Sequence, residues 1–200
     1  MNYIWLLTAL AVSFLATPAA QTAGAAEVLV RIETALGAID IAVDTRRAPI
    51  TAANFLKYVD GKFYDGGRFH RVTRPDNDAA AGDKPAIQVI QAGINPGRRA
   101  EAFPPIPLER TSVTGLRHVA GAASMARSSA TDSARSDFFI CVRDEPSLDA
   151  GGKRAADGQG FAAFGRVVQG MHIVRGIQQQ PAEKQALTPP IAIVRISRVQ

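Results

Sequence analysis

The chain has 200 residues, enough for one domain with a sizeable core and too few for a comfortable second one. With 46% hydrophobic and 20% charged residues it is neither disordered nor a multispan membrane protein. A net charge of +5, carried by 18 Arg and five Lys, permits an acidic partner without requiring one, and a single Cys excludes an intrachain disulfide framework or a cysteine-built zinc site.

Residues 1–26 carry no charged side chain, and 4–15 form a nearly unbroken apolar run. Small residues crowd 16–26, with Ala23-Gly24-Ala25 as an A-x-A site. This pattern reads as a cleavable secretory signal followed by a mature domain at 27–200. The run is short for a membrane span, which takes about 20 residues, and an uncleaved anchor is the alternative. Cleavage would remove Trp5, the only tryptophan, and leave the net charge unchanged.

Segments 27–34 and 37–43 alternate Val28, Val30, Ile32 and Ile39, Ile41, Val43, which predicts a hairpin. Pro49 and Thr51 open a helix whose apolar stripe is Ala52, Phe55, Leu56 and Val59, and Gly61 closes it. Further strands are predicted at 68–72, 87–92, 119–125, 137–142, 161–167 and 191–199, with a short helix at 168–178. Residues 74–85 read as a polar surface loop and 143–160 as a Gly-rich one. Many short strands with few helices indicate an all-β barrel or sandwich.

Several chemistries find no support. His70, His118 and His172 are scattered, with no metal-ligand spacing. No Gly-x-Ser-x-Gly elbow occurs, and Ser, His and Asp are present only as in almost any chain. Gly151-Gly152-Lys153-Arg154 lacks the flanking residues of a phosphate loop and reads as a solvated turn. The Arg46-Arg47 and Arg98-Arg99 pairs have no aromatic interleaving, so nucleic acid is not an expected partner. Cys141, inside an apolar strand, reads as a buried structural thiol.

Five segments carry a signal together: Gly37-Ala38-Ile39-Asp40-Ile41 leading to Ala48-Pro49-Ile50-Thr51-Ala52-Ala53-Asn54-Phe55; Phe63-Tyr64-Asp65-Gly66-Gly67-Arg68-Phe69-His70-Arg71-Val72; Val89-Ile90-Gln91-Ala92-Gly93; Ser124-Met125-Ala126-Arg127 with Ser136-Asp137-Phe138-Phe139-Ile140; and Phe161 through Met171. In this order and spacing, over about 28–199, the chain resembles the cyclophilin family of peptidyl-prolyl cis–trans isomerases, bacterial exported members above all. The resemblance implies a closed eight-stranded antiparallel β-barrel capped by two short helices, with the site in a groove outside the barrel. It implies no cofactor and no metal.

The same resemblance assigns roles. Arg71 matches the catalytic arginine, Gln91 the glutamine that grips substrate backbone, and Phe139 the socket phenylalanine. Leu148 matches an apolar socket wall, and Ala126 the small residue that lets the substrate approach. Val89 falls where methionine is common. Gln88 stands at an aromatic wall position of the rim, Phe161 at a common histidine position, and Ser147 at a common tryptophan position, which implies weak cyclosporin binding. Phe69, His70 and Phe164 are expected to be structural. The implied function is isomerisation of X-Pro bonds in exported proteins, by a periplasmic monomer without a membrane span after cleavage, acting on proline-containing polypeptide segments. The alternative is a binding module or chaperone that grips such segments with little turnover. A groove blocked by the 74–85 insertion, or Arg71 turned away from Phe139, would favour it.

Overall fold

Alternating β-branched residues set the first hairpin, and the computed structural model describes residues 27–78 and 84–199. The leader read at 1–26 and the middle of the polar insertion, 79–83, lie outside the described residues. Among the described residues nine strands run β1 (Glu27–Thr34), β2 (Gly37–Asp44), β3 (Arg68–Val72), β4 (Val89–Gly93), β5 (Ala122–Met125), β6 (Phe138–Cys141), β7 (Ala163–Gln169), β8 (Ala182–Glu183) and β9 (Ala186–Arg198). The helices are α1 (Pro49–Asp60), α2 (Thr111–Thr114) and α3 (Met171–Gln178). Pairing follows the order β1-β2-β7-β5-β6-β4-β3-β9, and β1 also pairs with β9. That closes an antiparallel barrel of eight strands, with the two-residue β8 appended to β9. Closure leaves no long edge unpaired.

The barrel interior is filled from the inward parity of each strand. Val30, Ile32, Ile39, Ile41, Ile90, Phe138, Ile140 and Phe164 are all fully buried in one cluster. The α1 stripe joins it through Phe55, which packs on Phe138, Phe164 and Tyr64 at centroid distances of 5.4, 4.8 and 5.6 Å. Pro49 starts α1 with its φ already helical. Ala48 offers no side-chain cap, and a distant carboxylate takes its place: Ile50 and Thr51 N–H donate to Glu109 at 3.1 and 2.7 Å.

Boundaries differ from the sequence expectation where tertiary pairing overrides local pattern. The helix expected from 168 begins at Met171, because β7 continues to Gln169 against Asp40 of β2. Gly170 then turns the chain at φ +92, and a Cβ there would stand 2.4 Å from the Ala38 carbonyl oxygen. β9 starts five residues before the expected 191, ahead of the Pro189-Pro190 pair. Among the described residues no helix is long and apolar enough to cross a membrane.

Candidate active site

Outward-facing residues of β4 and β6 build a second apolar cluster on the barrel wall. In β4, Ile90 and Ala92 enter the interior, so Val89 and Gln91 face out; in β6, Phe138 and Ile140 face in, and Phe139 and Cys141 out. Val89, Phe139 and Cys141 pack with Ile87, Ala122 and Leu148, and with the partly buried Ala126 and Phe161. The Cys141 thiol is fully buried, and burial pushes its pKa well up, as an inert structural thiol requires.

Arg71 reaches this wall through an irregularity. Phe69 and Val72 are both in the barrel interior, and strict alternation from Phe69 would send Arg71 inward as well. The β3 register shifts between Phe69 and Arg71 against both β4 and β9. This bulge re-aims Arg71 to the outer face, a common use of bulges beside functional sites.

Arg71, Gln91, Val89, Ala126, Phe139, Leu148 and Phe161 border one pocket of about 250 Å³, together with Ile87, Lys84, Arg127 and Arg154. Of the residues expected at the site, Gln88 is the one the structure does not bring there. It lines a separate polar hollow with Arg74, Asp76 and Gln178, while its backbone N–H donates to Glu145 at 2.8 Å. Just ahead of β4, Ile87 packs with Val89 and borders the pocket with Val89 and Gln91, whereas Gln88 turns to the other side. Ile87 borders the pocket where Gln88 was expected, and counting by twos from Gln91 would have found it.

The polar side of the pocket is anchored. Arg71 donates from Nη1 to Gln91 Oε1 at 3.0 Å and from Nε and Nη2 to Gln185 Oε1 at 2.9 and 2.7 Å. A guanidinium has five N–H groups, so among the described residues one remains unspent on each terminal nitrogen. Burial, with the nearby Arg154 charge, lowers the Arg71 pKa from its ordinary value, and Asp78 opposes that shift; the group stays charged at any working pH. Gln91 spends its oxygen on Arg71, leaving its NH2 as a donor.

The apolar floor is held from beneath. The His118 ring stacks on Phe139 at 5.9 Å between centroids and 16° between planes, and Phe161 meets Phe139 edge-on at 5.7 Å. His118 Nδ1 lies 2.8 Å from Asp149 Oδ1, and Nε2 lies 3.0 Å from Ser124 Oγ. A proton on Nδ1 for the carboxylate leaves Nε2 to accept from the hydroxyl. Burial pushes the Asp149 carboxyl up, but its bonds from the His118 ring and backbone hold it below the usual range. Ser, His and Asp therefore stand in hydrolytic order, which the sequence did not single out. Ser124 is 0% and His118 1% exposed, so no acyl group can reach the hydroxyl and the trio serves as a brace for Phe139. His70, expected to be structural, is partly buried beside Asp137 at 3.7 Å, and burial lowers its pKa.

The turn read as solvated at 151–154 is also different. Arg154 forms a two-pronged ion pair with Asp78, at 2.8 and 3.0 Å, with side chains only 8% and 7% exposed. Also bordering the pocket, Arg127 pairs with Asp157 at 2.7 Å, and its guanidinium lies 5.2 Å from the Phe161 ring centre.

Residues 29–199 match the family model for cyclophilin type peptidyl-prolyl cis-trans isomerases. Peptidyl-prolyl cis-trans isomerase A of Dickeya dadantii is 36% identical over 177 residues, 88% of this chain and 80% of that protein. A peptidyl-prolyl cis-trans isomerase of Acinetobacter baylyi is 35% identical over 156 residues, 78% and 74% of the two chains. Among solved structures, a cyclophilin of Cryptosporidium parvum superposes with a TM-score of 0.68 at 19% identity, covering 87% of this chain and 98% of that one. The closed barrel, the outer groove and these relatives lead to one conclusion: the chain belongs to the cyclophilin family and is a peptidyl-prolyl cis-trans isomerase.

Proposed function

We propose that isomerisation takes place in the pocket between Arg71 and Phe139, and that the clients are exported proteins. A prolyl amide crosses a barrier of about 18–20 kcal/mol through a twisted state that has lost C–N conjugation. No bond breaks, so the requirement is tighter binding of the twisted geometry than of either planar one. Phe139, Leu148, Val89 and Ile87 form an apolar socket for the pyrrolidine ring. Gln91 directs its NH2 at a flanking peptide carbonyl. Arg71 supplies an unspent N–H to the prolyl nitrogen as its lone pair localises, or to the adjacent carbonyl oxygen. A fixed donor of this kind typically contributes about 3–4 kcal/mol.

The observation that carries this reading is that Arg71, Gln91 and Phe139 border the same pocket. It also weighs against a binding module without turnover, since Arg71 is not turned away from Phe139. The described part of the 74–85 insertion runs beside the pocket, with Lys84 on its rim. Export rests on the leader pattern at 1–26, and an exported isomerase suits a compartment where slow prolyl steps also limit folding.

Two measurements test the proposal. Titration of the isotope-labelled protein with an Ala-Pro tetrapeptide should shift the NMR signals of Arg71, Gln91, Phe139 and Leu148 while cis and trans peptide signals exchange. Shifts confined to another face would refute the placement. N-terminal sequencing of the chain recovered from the periplasm should begin near residue 27; recovery of the intact chain from the cytoplasm would refute export.

A further inference from the structure

Arg71 has two anchors, and the stronger one lies outside the set of residues that the sequence pattern singles out. Gln185 sits in the turn between β8 and β9 and places one oxygen against both Nε and Nη2 of Arg71, at 2.9 and 2.7 Å. Its amide nitrogen is spent in the other direction, donating to the Asn77 carbonyl at 3.1 Å and to Asp78 Oδ1 at 2.9 Å. Charge dictates this orientation. A reversed amide would set NH2 against a guanidinium and C=O against a carboxylate and a carbonyl.

Asp78 is itself fixed. Its Oδ2 accepts from the Ile87 N–H and Arg154 Nη1, both at 2.8 Å, and its Oδ1 accepts from Arg154 Nη2 at 3.0 Å. Burial pushes the Asp78 carboxyl up, but Arg154, the Ile87 N–H and Gln185 together hold it below the ordinary range. Arg154 is tied in turn, through Nη1 to the Pro85 carbonyl and through its backbone N–H to Ser147. A hydrogen-bonded chain, Arg154 to Asp78 to Gln185 to Arg71, thus runs from the loops flanking the pocket to the guanidinium inside it.

We propose that Gln185 is a positioning residue for Arg71, with its amide set by the Asp78–Arg154 pair so that the unspent N–H groups of Arg71 face the pocket. This rests on Arg71 being the catalytic donor. Without Gln185, the guanidinium keeps one side-chain acceptor, Gln91, and swings on a flexible stem. Misplacement of a reacting group by about 1 Å can cost on the order of 10²-fold in rate.

The test is a double-mutant cycle on the full chain, reading kcat and KM for an Ala-Pro peptide with wild type, Gln185→Met, Arg71→Ala and the double variant. Gln185→Met keeps side-chain volume and removes the polar contacts. Its kcat should fall about tenfold with KM within about twofold, at unchanged circular dichroism, and it should cost nothing further in the Arg71→Ala background. If Arg71→Ala keeps the wild-type kcat, the catalytic reading fails and the positioning role falls with it. If Arg71→Ala is slow while Gln185→Met is not, the positioning role alone is refuted. Losses that multiply in the double variant would also overturn it, since Gln185 would then act independently of Arg71. Should Gln185→Met not fold, Gln185→Asn, with its amide one methylene short, passes through the same cycle with the same outcomes.

Discussion

Replacing Arg154 by Met removes one half of a buried ion pair and leaves the other in place. The Asp78 carboxylate, 7% exposed, would keep the Ile87 N–H and the Gln185 amide but lose both guanidinium bonds. Breaking such a pair on one side costs about 3–5 kcal/mol, because the remaining charge stays desolvated. For a domain of this size each kcal/mol moves Tm by roughly 2–4 °C, so a fall of about 6–20 °C is expected at pH 7 by thermal unfolding. The pH dependence has a definite sign. The folded Asp78 pKa is depressed, so its stabilisation is complete above the unfolded value of about 3.9 and is lost as pH falls through the lower folded value. In Arg154→Met the largest lowering contact is lost and burial is opposed only by the Ile87 N–H and Gln185, so the gap to wild type should be full at pH 7 and narrow below about pH 4. A Tm within about 2 °C of wild type at pH 7, or a gap independent of pH, would refute the view that removing Arg154 strands a buried Asp78 charge.

Phe139→Ala removes the socket floor that His118 and Phe161 support, and kcat/KM for Ala-Pro peptides should fall roughly tenfold to a hundredfold, from the apolar burial of one large side chain. A fall below threefold in a folded variant would place the proline elsewhere. Gln88→Ala, outside the pocket, should leave kcat/KM within about twofold; a larger loss would restore Gln88 to the rim. The Asp157 carboxyl, held by its bond from Arg127, should titrate by NMR at about 2, and a midpoint near 3.8 would show that the Arg127–Asp157 contact does not persist in solution.

The hairpin and α1 were legible because their apolar residues recur at the strand and helix periods. Strand ends were less so, since β7 gains Val168 and Gln169 from pairing with β2 rather than from composition. The pocket-lining set was largely legible through the family resemblance, but two features were not. Parity along 87–91 contradicts the assignment of Gln88, and Ile87 was available to the same counting. The bulge that turns Arg71 outward has no local signature, because Phe69-His70-Arg71-Val72 reads as an ordinary strand. The contacts between Arg154 and Asp78, Gln185 and Arg71, and His118 and Asp149 join residues 76, 114 and 31 positions apart. Pairings at such separations are set by how loops meet on the barrel wall, and no spacing in the chain encodes them.

The measurement that bears most directly on the catalytic reading is the turnover of Arg71→Ala on an Ala-Pro peptide, beside wild type, with fold checked by circular dichroism. Removing a fixed donor aimed at the twisted amide should lower kcat by about 10²–10³-fold, with KM changed far less because the apolar socket remains. A folded Arg71→Ala variant that turns over within about threefold of wild type would contradict the catalytic role of Arg71, since a fixed donor is expected to be worth far more.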